Sequence, residues 1–250
     1  MITLPSLESN ITYYCQNKCV SCNHMIPLVE KPYHVDISVI ERDIEAMKKI
    51  CHSKEFSVVG GEPTLHPQVT EIIQMVKQSG ISDIVLTYTN GQAVNHLPDA
   101  FYENLDRLIV DPYKIDDVRK QYITDKCAEF NLPLEWHTTT FGKQFLKDKR
   151  DKGSANGIFN GCWFRFNRSV IDEGYFYRCC SSPFIPRYLL GQDRTADAIP
   201  IDGLTEEKLI TYLNPPEAPE ICSVCNGNSG ELIGWRETTR AKWLQESIGD

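Results

Sequence analysis

Over the first 140 residues, apolar positions come in short blocks broken by glycine and polar residues. Ile11–Tyr14 predicts a short strand that ends at Cys15. Val35, Ile37, Ile40, Ile44, Met47 and Ile50 recur near the helical period and predict a helix over 36–50. Phe56–Val59 predicts a strand running into Gly60-Gly61, and residues 68–79 a second amphipathic helix stopped by Gly80. Ile84–Thr87 reads as a strand followed by the turn signal Asn90-Gly91. Leu108–Val110 reads as a strand ending at Asp111, followed by a helix over 115–129 and a fifth strand over Leu134–Thr138. Strand and helix alternate, which predicts an α/β fold: a parallel sheet of βα units, open or nearly closed. In such sheets ligands gather beyond the carboxyl ends of the strands, where these glycines and polar residues fall.

The rhythm changes near residue 147. Lys147–Gly153 is a charged connector. Beyond it, Ser169–Tyr177 predicts two short strands turning at Asp172-Glu173-Gly174. Residues 205–212 predict a short helix, Pro215–Pro219 an extended stretch, and residues 237–247 a last helix. Few apolar runs remain to build a separate core, and a small domain of this kind often needs a metal staple. The expected division is a core over 1–147 and a smaller domain over 148–250 that could complete the barrel edge.

Charge narrows the function. Lys and Arg number 26 against 34 Asp and Glu, a formal net charge of -8. That balance disfavours sequence-independent nucleic-acid binding. No apolar run is long enough to span a membrane, and no secretory signal pattern opens the chain, so a cytoplasmic protein is expected. The ten cysteines fall in groups, 15/19/22, 162/179/180 and 222/225, with Cys51 and Cys127 isolated. Grouped cysteines in such a protein indicate metal or catalysis rather than disulfides. Cys51 and Cys127, on predicted helices, read as buried free thiols.

Cys15-Gln-Asn-Lys-Cys19-Val-Ser-Cys22 is the most specific pattern. Three thiolates at this spacing can hold three irons of a [4Fe–4S] cluster and leave the fourth open. Zinc, with His24 as a fourth ligand, is the alternative. Gly60-Gly61-Glu62-Pro63 follows the second predicted strand and Thr89-Asn90-Gly91 the third. Taken together, these elements resemble the radical S-adenosylmethionine (SAM) superfamily. The resemblance implies a partial (β/α)6 TIM-like barrel. It also implies that Cys15, Cys19 and Cys22 bind the cluster and SAM chelates the open iron. Gly60, Gly61, Glu62 and Pro63 would face the SAM amino group, and Thr89 and Asn90 would lie near its ribose. The residue before the third cysteine is usually aromatic in the family and packs near the adenine. Here it is Ser21, so Tyr14, Tyr13 or Tyr88 is the candidate for that contact.

Cys162 is followed by Gly174, Cys179, Cys222 and Cys225. Four thiolates could hold a second [4Fe–4S] cluster or zinc. The order of a cysteine, a glycine, four residues and a cysteine resembles the SPASM extensions of radical SAM enzymes, in their shorter form called twitch. The glycine spacing favours Cys179 over Cys180. Length and organisation are similar to the twitch-bearing radical SAM dehydrogenases of the aminocyclitol 2-deoxy-scyllo-inosamine.

The dehydrogenase resemblance implies oxidation of an alcohol of a sugar, aminocyclitol or nucleotide sugar to a ketone. The auxiliary cluster would accept an electron, and a flavodoxin or ferredoxin would serve as carrier. Candidates for the base and substrate contacts are Asp111, Tyr113, His137 and Arg165. Other readings stay open: epimerisation or dehydration, in which Cys180 could donate hydrogen; peptide modification, for which fourteen residues before Cys15 leave no room for a separate recognition domain; and a zinc-stapled binding module. His66 reads as a turn residue.

Overall fold

The computed structural model describes residues 1–137 and 140–249. Thr138, the last residue of the predicted fifth strand, lies outside the described residues. The chain forms two compact units: Met1–Gln16 with Pro32–Thr139, and Asn17–Lys31 with Thr140–Asp250. The passage between units therefore falls inside the cysteine motif, between Gln16 and Asn17. A single cut at 147 does not describe this division, because residues 17–31 make their contacts with the later part of the chain.

The first unit is built from βα repeats. Its elements are β1 (Ile2–Thr12), α1 (Ile37–Met47), β2 (Cys51–Gly60), α2 (Val69–Ser79), β3 (Ser82–Thr89), α3 (Asp99–Glu103), β4 (Arg107–Val110), α4 (Asp117–Glu129) and β5 (Leu134–Trp136). The five strands pair in chain order, every pair parallel. This is the α/β, parallel-dominated sheet expected of a partial TIM-like barrel. Leu7, Ile11, Phe56, Val58, Leu86 and Leu108 are fully buried in it, with Ile44, Met47, Ile72 and Ile73 of α1 and α2. Asp36 caps α1 by accepting the Ser38 N–H, and Gly80 ends α2 at a left-handed φ of 68°.

Strand β1 is much longer than its apolar end suggested. Ser6 through Thr12 are all buried, including Glu8, Ser9 and Asn10. A strand covered on both faces carries no alternation, so its polar residues hid it. Strands β2 and β3 also run longer than predicted, and their added residues are partly exposed, Lys54 and Asp83 among them. Cys51 opens β2 rather than lying on a helix, and it is fully buried. Cys127 is buried on α4 as expected.

The second unit contains β6 (Thr140–Gly142), β7 (Phe145–Leu146), α5 (Lys152–Gly161), α6 (Trp163–Asn167), β8 (Ser169–Asp172), β9 (Tyr175–Tyr177), α7 (Ile185–Leu189), β10 (Ala198–Pro200), α8 (Glu206–Leu213), β11 (Leu232–Gly234), α9 (Arg240–Ser247) and β12 (Ile248–Gly249). Strands β8, β9 and β10 are antiparallel. The expected hairpin turns at Glu173 and Gly174, both at positive φ (47° and 87°). Helix α5 was not legible because Gly153, Gly157 and Gly161 lower its propensity. Its N-terminus is fixed instead by Asp151, which accepts the Ser154 N–H. Helix α9 starts later than the predicted 237, because residues 236–238 are extended and pair with Lys18–Val20. No described helix is long and apolar enough to cross a membrane.

Candidate functional site

In the first unit the strand ends are locked together by backbone geometry. The register of β1 against β2 shifts between Asn10 and Thr12, bringing Thr12 opposite Gly60. Gly61 N–H donates to the Thr12 carbonyl and Glu62 N–H to the Tyr14 carbonyl, each at 2.7 Å. A Cβ on Gly61 would sit 2.0 Å from the Tyr14 oxygen, and one on Gly60 2.4 Å from the Thr12 oxygen. The Gly-Gly pair is thus required by close backbone approach. It seats the loop directly beside Tyr14 and Cys15.

Glu62 ties this loop to the next one. It is 2% exposed, and all four donors recorded on it come from the protein. Thr64 Oγ and Thr89 Oγ donate to Oε1, both at 2.6 Å, with Thr64 N–H at 3.3 Å. Asn90 N–H donates to Oε2 at 2.8 Å. Burial pushes the Glu62 pKa up, and these hydrogen bonds oppose it. Pro63 starts the short helical turn that brings Thr64 back to the carboxylate. Oε2 retains acceptor capacity for a ligand ammonium, while Oε1 is crowded by three donors.

Asn90 then reaches back. Its Oδ1 accepts Gln16 Nε2 and Gln92 N–H, each at 3.0 Å, and its Nδ2 lies 4.0 Å from Cys15 Sγ. Gly91 N–H donates to Thr89 Oγ at 3.0 Å. Tyr14 is exposed, and its ring stacks on His34 at 4.7 Å. His34 lies in turn edge-on to His66 at 5.0 Å. His66 donates Nε2–H to the Val35 carbonyl, since its Nδ1 accepts the Gln68 N–H. It is the turn residue the sequence suggested. His34 was not foreseen, because a lone histidine in Pro-Tyr-His-Val gives no signal.

Beyond β4 and β5, Asp111, His137 and Glu135 form a line. His137 Nδ1 lies 3.4 Å from Asp111 and Nε2 3.1 Å from Glu135, with the Tyr88 ring 5.6 Å away. Both ring nitrogens face carboxylates, so the imidazolium is favoured. The Asp111 hydrogen bond, followed by the two negative charges, raises the His137 pKa against partial burial. Tyr113 is held by its N–H on the Asp111 carbonyl at 2.8 Å. Glu135 was missed, since it sits on a strand that looked structural.

The second unit holds the remaining cysteines. Residues 17–31 carry Cys19 and Cys22. Trp235 Nε1–H donates to Cys19 Sγ at 3.1 Å. Backbone N–H groups of Ile26, His24 and Met25 point at Cys22 sulfur and partly offset the rise that burial gives its pKa. The intervening Ser21 is buried at a left-handed φ of 53°. Its N–H donates to Ser247 Oγ at 2.9 Å, while its own hydroxyl has no hydrogen-bond partner among the described residues.

Cys179, Cys222 and Cys225 lie near enough to other cysteines, Cys162 among them, for those charges to bear on their ionisation. Burial, then the charges of Cys180, Cys225, Asp197 and Cys222, pushes the Cys179 thiol well up. Burial and neighbouring cysteines hold Cys222 up at about 12. Cys225 is held at about 11, chiefly by burial. Gly227 fits between two of them: its N–H donates to Cys225 Sγ at 3.3 Å, and a Cβ there would meet Cys162 Sγ at 2.8 Å. Cys180 is 2% exposed, packed with Val170 and Tyr177, and 3.7 Å from Asn23 Nδ2. Arg165 was expected among substrate contacts. Instead its guanidinium donates to the Phe159 and Leu213 carbonyls at 3.3 and 3.2 Å and stacks on the Phe159 ring at 3.7 Å.

Two tests follow from the first unit. Thr89→Val removes one donor from a buried carboxylate and should lower folding stability by about 1–3 kcal/mol, read by anaerobic denaturant unfolding. An unchanged midpoint would show that Glu62 does not depend on Thr89. Asp111→Asn should move the His137 titration to lower pH in an NMR titration of the imidazole, with His137→Gln assigning the signal. An unmoved or higher pKa would contradict the pairing.

No group of three or more His, Cys, Asp and Glu side chains among the described residues is drawn together as for a bare metal ion. The donor chemistry nonetheless fits iron–sulfur ligation: N–H groups face sulfur at Cys15, Cys19, Cys22 and Cys225, and the raised Cys179, Cys222 and Cys225 thiols are costly to ionise without a metal.

Comparison with known proteins agrees. Residues 9–121 match the family model described as the Radical SAM superfamily. A GTP 3',8-cyclase of Microcystis aeruginosa is 43% identical over 51 residues, 20% of this chain and 15% of the relative. A protein of Methanocaldococcus jannaschii, provisionally named a glycyl-radical enzyme activating enzyme, is 28% identical over 123 residues, 49% of this chain and 46% of the relative. The chain thus spans less than half the length of these curated relatives. Among solved structures, BtrN in complex with AdoMet and 2-DOIA aligns at a TM-score of 0.52 and 14% identity, covering 90% of this chain and 88% of BtrN. The anSMEcpe structure with bound AdoMet aligns at 0.51 and 12%, covering 98% and 95%. At such identities the likeness is one of fold. The cysteine motif, the Gly-Gly-Glu-Pro loop and Thr89-Asn90-Gly91 all fall within residues 9–121, the part of the chain that is similar to the radical SAM superfamily.

Proposed function

We propose that the chain is a radical SAM oxidoreductase that oxidises an alcohol of a sugar, aminocyclitol or nucleotide sugar to a ketone. The observation that carries this reading is the group Cys162, Cys179, Cys222 and Cys225 in the second unit, with Gly227 fitted against it. Four soft donors, with Cys225 buried and the other three half-buried, suit an auxiliary [4Fe–4S] cluster. Loaded, the two centres would supply reductive cleavage of SAM to a hydrogen-abstracting 5'-deoxyadenosyl radical and an acceptor for the electron left on the substrate.

The chain's own residues have distinct tasks in this reading. Cys15, Cys19 and Cys22 hold the first cluster, and Gly60–Pro63 with Thr89 and Asn90 line the SAM end of the strands. The exposed Tyr14 ring, braced by His34, offers a flat apolar face for the adenine, a task Ser21 cannot take. The Asp111 carboxylate, held by the protonated His137 ring, receives the hydroxyl proton, and Glu135 orients that ring from the other side. The balance would be one hydrogen atom to the adenosyl carbon, one proton to Asp111 and one electron to the four-thiol centre. A flavodoxin- or ferredoxin-type carrier delivers the electron for SAM cleavage and collects the second one. The burial of Cys180 disfavours the isomerisation reading, because a thiol packed against Val170 and Tyr177 is badly placed to quench a substrate radical.

The test is anaerobic turnover with reductant, SAM and a panel of sugars and aminocyclitols deuterated at carbinol carbons. Deuterium in 5'-deoxyadenosine together with a ketone product is the expected outcome. Deuterium transfer with an isomeric product and no net oxidation would sink the oxidation reading.

A further inference from the structure

Residues 235–247 are stitched onto the cysteine loop within the second unit. Val20 N–H donates to the Arg236 carbonyl at 3.1 Å and Thr238 N–H to the Lys18 carbonyl at 2.8 Å, so Cys19 and Glu237 face each other as an antiparallel bridge. The fully buried Trp243 donates its indole N–H to the Cys19 carbonyl at 3.1 Å. Ser247 Oγ accepts the Ser21 N–H at 2.9 Å. Trp235 differs from these three in its target. Its indole N–H points at the Cys19 sulfur itself, at 3.1 Å.

An indole is a donor only. A donor aimed at sulfur has most to gain when the sulfur carries charge, as a metal-bound thiolate does. Hydrogen bonds to the ligand sulfurs are among the levers that set iron–sulfur reduction potentials. The sign follows from charge. A donor draws density from the thiolate, favours the reduced and more negative state, and raises the potential. The hydrogen bonds of Trp243 and Ser247 named above go to the backbone of the loop and hold its shape.

We propose that Trp235 is a positioning residue for the reactive centre, its indole N–H on Cys19 raising that centre's reduction potential while residues 235–247 strap the loop in place. This inference rests on the radical SAM reading. Neither the cysteine spacing nor the Gly-Gly-Glu-Pro loop foretells it, because Trp235 lies 216 residues away from Cys19.

The test is an EPR-monitored redox titration of the full chain after anaerobic reconstitution. The reactive centre is identified as the signal that changes when SAM is added. Trp235→Phe keeps the ring and removes the N–H. It should make reduction about tenfold less favourable, a fall of about 59 mV for a one-electron couple. Trp243→Phe should leave the midpoint in place, even if iron is retained less well. An unchanged midpoint in Trp235→Phe with normal iron content would overturn the inference. A wild-type protein with no SAM-responsive signal would overturn the radical SAM reading instead. Should Trp235→Phe fail to hold iron, indole-15N labelling of the wild-type protein decides. Pulsed EPR should show a 15N coupling on the SAM-responsive signal, and its absence would refute the hydrogen bond.

Discussion

Glu62 is a carboxylate in a place water does not reach, and the donors that make its burial tolerable come from the loops on either side of it. Thr64 folds back from the Gly-Gly-Glu-Pro loop, and Thr89 and Asn90 come from the end of β3. Because an unsatisfied buried carboxylate would be expensive, the two loops have little freedom to separate. Asn90 passes the constraint on to Gln16 and lies near Cys15, and Gly60-Gly61 fix the same end of β1 through backbone contact. This end of the strands is thus held in shape by the protein's own contacts, the kind of preorganisation a binding site needs.

A second regularity concerns sulfur. Cys15 faces the Asn90 amide, Cys19 the Trp235 indole, Cys22 a fan of backbone N–H groups, and Cys225 the Gly227 N–H. These donors come from both units, from loops and from side chains far apart in sequence. Their common feature is that each would stabilise a charged, metal-bound thiolate. Cys180, one residue from Cys179, also has an amide on its sulfur, Asn23 Nδ2 at 3.7 Å, and packs among apolar neighbours.

Much of this was legible in the chain because it depends on local spacing. CxxxCxxC, Gly60–Pro63 and Thr89–Gly91 are short motifs, and the strand–helix rhythm placed each at a strand end. The Cys162–Gly174–Cys179 order also located the hairpin. What was not legible depends on distant partners. Glu135 only gains meaning beside His137, His34 beside Tyr14, and Trp235 beside Cys19. Burial on both faces hid most of β1, because Glu8, Ser9 and Asn10 do not look like core residues. Arg165 was expected among the substrate contacts from its position after Cys162; what the sequence did not show is that the Phe159 and Leu213 carbonyls and the Phe159 ring hold its guanidinium.

The proposed oxidation requires two iron–sulfur centres of unlike kind in one chain, one with an open iron and one fully ligated by protein. Mössbauer spectroscopy of the full chain, reconstituted anaerobically with 57Fe, tests this most directly. The account predicts about eight irons in two cubane clusters, with one iron site in the eight changing its isomer shift when SAM is added. A colourless protein carrying zinc, or an iron spectrum indifferent to SAM, would contradict it.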